Sequence, residues 1–294
     1  MKNNNTELKA KAAKLPVTAL HPFKDHPYKV QDNEEMDALV ESIRENGIMS
    51  PLIVRPLENS ENEYEVVSGH RRLHAAEKAG ITEVPALIYA LDRDAAAIAV
   101  VDSNLHREHI LPSEKAFAYK MKADAMSHQG RTSGQVVPKS DDARTTAVIG
   151  EPNGESYKTV QRYIRLTHLI PELLAYMDEG KMALSVGVEL SYLCEEQQRA
   201  VAEASEYFDC TPSYAQAVRL RKESSEQYCI LTPDRIFKIL GEEKANQREK
   251  VSFQVGDLRK YFPDNYTAKE MQNTILRMLE QEHQRQHRSR DYER

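Results

Sequence analysis

The chain is 294 residues long, with 40 basic and 46 acidic side chains and a formal net charge of -6. That length holds two or three domains, and the acidic balance gives no whole-chain argument for nucleic-acid binding, so any such reading rests on local patches. Charged residues at 29% and hydrophobic residues at 40% fit a globular protein; Cys194, Cys210 and Cys229 form no C-x-x-C motif, and no apolar run reaches the length of a membrane span.

Residues 1–17 are polar and lysine-bearing, lack the apolar centre of a secretory signal, and are expected to form a mobile arm. Residues 19–28 carry Pro22 and Pro27 and should be extended. A helix follows: Asp32 or Asn33 caps it, Glu34 and Glu35 suit its first turn, and Met36, Leu39, Val40 and Ile43 make its apolar stripe up to Gly47. Residues 51–55 (PLIVR) read as a short buried strand. The stretch 63–80, EYEVVSGHRRLHAAEKAG, then opens as a strand through Tyr64, Val66 and Val67. It breaks at Ser68-Gly69 and restarts as a helix with Leu73, Ala76 and Ala79 on one face. A glycine at a strand-to-helix turn lets a ligand approach the backbone. The first-turn N–H groups and the positive end of the dipole face the same way, and Arg71 and Arg72 add two cations. Together these make an anion seat, for which phosphate is the common occupant. Residues 84–89 (VPALIY) add a strand, so the first part of the chain is an α/β or α+β domain.

Asp92 is placed to cap a helix through Ala95, Ile98 and Val101, which leads into DSNLHREHILPSE at 102–114. From Ser113, read as the cap of the next helix, the character turns helical. A helix from Glu114 to about Ser127 is followed by a loop at 129–139, a short helix at 142–149 and a turn at 150–154. A second helix is expected over 156–170, capped by Glu155 or Ser156. Val160, Tyr163, Ile164 and Thr167 should point inward with Leu166 at the flank, leaving Tyr157, Lys158, Gln161, Arg162 and Arg165 outside. No acidic residue occurs from Ser156 to Ile170. Short helix, turn and capped helix is the plan of a helix-turn-helix, and the local absence of acid suits an anionic partner. Base contacts are expected from the first two turns and a phosphate contact from Arg165. Helices over 171–177, 185–193, 195–208 and 211–223 brace this unit. Beyond about Ser225 a helix at 232–240, a strand at 251–253 and a helix over 267–283 are expected. Met271, Ile275, Met278 and Leu279 stripe that last helix, either against its own domain or against a second chain.

Gly69-His70-Arg71-Arg72, with its flanks, resembles the GERR box of the ParB family of DNA-partition proteins, which bind CTP. His70 stands where the family usually has glutamate. Residues 102–114 resemble the family's third box, ENxQRxxLxPxE: Asn104, Arg107, Pro112 and Glu114 match, while Ser103 and His106 depart from its glutamate and glutamine. The stretch TVQRYIRLTHLIPELLAYMDEGKMAL resembles the family's helix-turn-helix domain, with a longer turn, EPNGES, and the likeness fades after about residue 223.

The resemblance implies an α+β protein. A flexible arm at 1–18 would precede a nucleotide-binding domain at 19–112 with the fold shared by ParB and sulfiredoxin. An all-α helix-turn-helix domain would follow at 113–224, and a small, mostly helical dimerisation unit at 225–294. It assigns Gly69, His70, Arg71, Arg72, Asn104 and Arg107 to CTP, and Asn104 to Mg²⁺. Ser156, Tyr157, Lys158, Gln161, Arg162 and Arg165 are assigned to double-stranded DNA with a palindromic site. It also implies a homodimer, a ParA-type ATPase as partner, no membrane association, and a cytoplasmic, nucleoid-associated location. CTP hydrolysis should be slow or absent, because two glutamates are missing; Asp102 is the neighbouring carboxylate that stands in for the second. The alternatives are a transcriptional regulator built on the same DNA-binding domain, or an enzyme on the sulfiredoxin-like fold. No P-loop, G-x-S-x-G elbow or H-E-x-x-H is present. His70 and His74 have metal-binding spacing, but no third ligand follows nearby in sequence.

Overall fold

The computed structural model describes residues 10–58, 60, 62–105, 109–132, 141–225, 231–242, 258–263, 266–267, 269–279 and 281, the side chains of 130–132 and 141–144 excepted. The chain divides into two compact units, residues 1–242 and 243–294.

The first unit opens with a five-stranded mixed sheet in the order β1-β5-β3-β4-β2. β1 (Lys11–Pro16) runs antiparallel to β5 (Glu83–Ile88), and β3 (Leu52–Pro56) runs parallel to β5 and antiparallel to β4 (Tyr64–Ser68). β2 (Leu20–Pro22) closes the other edge, parallel to β4. Successive strand residues face opposite sides, and β4 shows the consequence. Val66 packs with Leu73 and Ala76 of α2 (His70–Ala79), whereas Val67 packs with Ala96, Ala97 and Val100 of α3 (Arg93–Asp102). α1 (Glu34–Asn46) lies against α2 through Met36, Val40, Ile43 and Ala75. Its expected ends are both found: the Asn33 side chain accepts from the Met36 N–H, and Gly47 ends the helix at φ 69°.

Helices follow: α4 (Pro112–Thr132), α5 (Asp141–Gly150), a 3₁₀ turn (Glu151–Asn153), α6 (Tyr157–Leu166) and α7 (Pro171–Asp178). After them come α8 (Leu184–Leu190), α9 (Glu195–Tyr207), α10 (Tyr214–Ser225) and α11 (Pro233–Leu240). Val101, Leu105, Tyr119, Ile149 and Val160 form one core that joins α3 to α4, α5 and α6.

Several expectations need correction. Residues 11–16, placed in a mobile arm, are edge strand β1; Ala13 and Leu15 turn inward against Val84 and Ala86, giving this lysine-rich stretch an apolar face. The helical domain does not end at 224. Ile236, Ile239 and Leu240 of α11 sit in the same core as Leu190, Val201 and Leu220, so the boundary lies near Glu242. A clasp fixes α11 to α10: Arg235, and behind it Arg219, hold the Glu223 carboxyl at about 2, against the opposing pull of burial, which keeps the clasp ionised at neutral pH. The helix expected over 156–170 stops at Leu166, and Pro171 starts α7; Leu166, placed at the flank, is fully buried in the α7–α11 core. The loop expected from residue 129 begins later, since α4 runs to Thr132. Ser113 does not cap α4 with its own oxygen. Its N–H and Oγ donate to the Asp178 carboxylate of α7 at 2.9 and 2.6 Å, so the anion at this helix start is supplied by a distant residue. In the second unit residues 269–279 are helical, and the strand expected at 251–253 lies outside the described residues.

Candidate functional site

The β4–α2 turn builds the seat that the sequence led us to expect. Gly69 caps α2 at φ 107°, a conformation that L side chains rarely adopt, and a Cβ there would stand 3.1 Å from both Leu52 Cγ and Arg72 Nη2. The turn lines a cleft of about 130 Å³, shared with Lys29 on one side and Ser103 and Asn104 on the other. Among the described residues no carboxylate lines this cleft, whereas Lys29, Arg71 and Arg72 do. It is small beside the roughly 300–1,000 Å³ of drug-sized ligand sites, so its volume suits a phosphate chain. A larger cleft of about 590 Å³ lies between α3 and α4, but Asp25, Asp94 and Asp124 share its lining with Lys24, Arg93 and Lys120, which gives an anion no preference.

Each side chain at the turn has a distinct situation. Arg71 is exposed and pairs with Glu35 of α1 at 3.1 Å. Exposed pairs of this kind contribute about 0–1 kcal/mol, so Arg71 can exchange its partner for a phosphate. Arg72 is half-buried, which lowers its pKa, and its Nη1 donates to the carbonyls of Ser50 and Pro51, tying α2 to the start of β3. His70 turns toward the 23–28 loop: its Nε2 accepts from the Phe23 N–H at 3.3 Å and its ring lies 3.7 Å from that of His26. Asn104 is buried; its Nδ2 donates to the Val100 carbonyl and to Ser103 Oγ, which leaves Oδ1 as its ligand atom. Asp102 does not stand in for the missing glutamate, because it pairs with Lys122 of α4 at 2.5 Å. Among the described residues the donor set for Mg²⁺ is one neutral oxygen from Asn104 beside a Ser103 hydroxyl engaged with Val100, so such an ion would take from them little beyond what phosphate oxygens and water supply. Arg107 lies outside the described residues, and among those residues no three metal-binding side chains cluster, His70 and His74 included.

Sequence reasoning missed three residues that shape this wall. Lys29 follows two prolines in an extended segment and carries no motif. Glu65 is buried on β4 and accepts from Arg55 Nε at 2.7 Å and from the Lys24 N–H at 2.9 Å. Glu114, read only as a family match, accepts from the Lys29 N–H at 2.8 Å. An acid set among β-formers, as Glu65 is, was the one available signal.

The helix-turn-helix is present as α5, the 3₁₀ turn and α6. Gly150 permits their close approach: a Cβ there would run into the Glu155 carbonyl and stand 3.0 Å from Val160. Ser156, rather than Glu155, is the cap, accepting from the Thr159 N–H. Glu155 is held down on α4 by Lys115 and by the Tyr119 hydroxyl at 2.8 Å; burial keeps that phenol protonated well above its ordinary range. Tyr157, Lys158, Gln161 and Arg162 are exposed along one side of α6. Arg165, expected on phosphate, is already engaged within the protein. Its Nε and Nη2 donate to the Ser191 hydroxyl and carbonyl at 3.1 and 2.9 Å.

Residues 1–105 match the family model described as the ParB N-terminal domain. The chain is 35% identical over 174 residues to the chromosome-partitioning protein Spo0J of Thermus thermophilus, covering 59% of this chain and 57% of that one. It is 39% identical over 106 residues to a nucleoid occlusion protein of Geobacillus thermodenitrificans, 36% of this chain and 37% of that one. The chain spans about half the length of the curated relatives it matches. Among solved structures, C-terminally truncated ParB of Caulobacter crescentus matches in two complexes. One is with the centromeric parS site (23% identity, 72% of this chain and 99% of that one, TM-score 0.41). The other is with CTP-γ-S (26% identity, 66% and 97%, TM-score 0.32). Among the described residues no helix is long and apolar enough to cross a membrane.

Proposed function

Because this chain belongs to the ParB family, we propose that it binds a palindromic DNA site sequence-specifically and serves the partition of a plasmid, chromosome or mobile element, with a nucleoside triphosphate at the β4–α2 turn as its gate. The observation that carries the reading is the exposed side of α6. It presents Tyr157, Lys158, Gln161 and Arg162 and no acid, on a capped helix that follows α5 and a tight turn. CTP is the nucleotide of choice because the related Caulobacter protein was solved with CTP-γ-S; the cleft itself selects phosphate, not a base. Gly69, His70, Arg71, Arg72, Asn104 and Arg107 are its proposed ligands, and a ParA-type ATPase its proposed partner on the nucleoid. Deleting the gene should raise the loss rate of the replicon that carries the site. An unchanged loss rate with altered transcription beside the site would favour a transcriptional regulator instead.

A palindromic site calls for two chains. On the helix over residues 269–279, Met271 is buried, but Leu276, Met278 and Leu279 are more than half exposed. Such a surface is best covered by a second copy. Light scattering should give a dimer for the full chain and a monomer for a chain ending at Glu242, the boundary set by α11. Two monomers would rule out dimerisation through this unit.

A further inference from the structure

The exposed side of α6 does not end where its free side chains end. Lys158 is followed at spacings of three and four by Gln161 and Arg162, and these at four and three by Arg165, so the four share one side of the helix. At Arg165 the row meets Tyr192, which follows α8. The Arg165 guanidinium carbon lies 4.0 Å from the Tyr192 ring centroid, and that of Arg221, from α10, lies 3.6 Å from the same centroid. Two guanidiniums thus stack on one tyrosine, itself 45% exposed. Glu189 pairs with Arg221 at 3.0 Å, so the group of Arg165, Arg221 and Glu189 keeps one net positive charge. Among the described residues Arg165 Nη1, Arg221 Nε and Nη2, and the Tyr192 hydroxyl have no hydrogen-bond partner in the protein. Nearby, burial first and then the charges of Arg165 and Lys120 lower the pKa of His168.

We propose that Arg165, Tyr192 and Arg221 form a second DNA contact, a seat for a backbone phosphate beside the site read by α6. The inference rests on the DNA-binding reading of α6 and extends it by an interface that α6 does not itself supply. Stacking fixes both guanidinium planes before binding, so little side-chain freedom is lost when a phosphate arrives, and a tyrosine hydroxyl is a donor suited to its oxygen. Continuity with the exposed α6 row and the net positive charge select a nucleic-acid backbone as the occupant.

Salt-dependent titrations of the full chain on cognate and scrambled duplexes test this. Arg221→Gln should weaken both duplexes in equal proportion and flatten the slope of log affinity against log salt by about one, while Arg221→Lys should keep the slope. Glu189→Gln, which releases Arg221, should tighten both duplexes; it serves as the independent arm if Arg221→Gln lowers the melting temperature. Wild-type affinity and slope in Arg221→Gln and in Glu189→Gln would overturn the proposal, as would a loss confined to the cognate duplex. If the wild-type chain bound neither duplex, the reading of α6 would fall with it; a silent Arg221→Gln beside a Gln161 variant that loses discrimination would remove this contact alone.

Discussion

Replacing Gln161 or Arg162 by alanine should weaken binding to the cognate duplex by about 1–3 kcal/mol each and leave the scrambled duplex nearly unchanged. Both residues sit within the first two turns of α6, exposed, on a helix whose inner side is fixed by Val160 and Leu166 in two separate cores. Neither substitution removes a buried contact, so the loss would report DNA and not folding. The reason to expect base reading is chemical: amide and guanidinium side chains present paired donors or donor and acceptor to a base edge, whereas Lys158 offers a point charge suited to phosphate. Titrations of each variant on cognate and scrambled duplexes decide the matter. Variants that bind both as wild type does would mean that α6 does not read the DNA.

Arg71→Ala should weaken nucleoside triphosphate binding at least about tenfold, since one charge-assisted hydrogen bond contributes roughly 1.5–3 kcal/mol. Arg71 is a cleaner test than Arg72, whose loss would also detach α2 from Ser50 and Pro51. Glu35→Gln should strengthen binding modestly, because it frees Arg71 of its exposed partner. Turnover should be slow or absent. His70 points its ring at Phe23 and His26, Ser103 is a neutral hydroxyl, and Asp102 is committed to Lys122, so among the described residues no carboxylate lines the cleft to orient a water or hold a metal. Calorimetry with the four triphosphates, with and without the cognate duplex, measures the first effect, and phosphate release measures the second. Absence of binding by all four under both conditions would mean that the seat has lost its ligand; rapid release of phosphate would contradict the account of His70 and Ser103.

Much of the nucleotide domain was legible because local signals agreed with one another. Asn33, Gly47, Asp92 and Ser156 ended or began helices where their chemistry says they should, and the Ser68-Gly69 break marked the turn that forms the cleft. What stayed hidden depends on residues far apart in sequence. β1 is a strand because β5, some seventy positions later, offers it an edge. α11 belongs to the middle helices because Ile236, Ile239 and Leu240 fill a core whose other members lie between residues 116 and 231. The surroundings of Arg165 stayed hidden because helical spacing gives direction but not neighbours, and Ser191 and Tyr192 lie just past the end of α8. The same limit hid Asp178, whose carboxylate meets Ser113 across 65 positions and lies 3.7 Å from the Lys29 ammonium.

The most direct test of the central claim is to cross-link the protein to DNA in its own cells, recover the complexes with an antibody, and sequence the fragments. The account predicts strong enrichment of one short palindromic sequence on a single replicon, lost when Gln161 and Arg162 are both replaced. Fragments spread evenly over all DNA, or a pattern that the double replacement leaves unchanged, would contradict it.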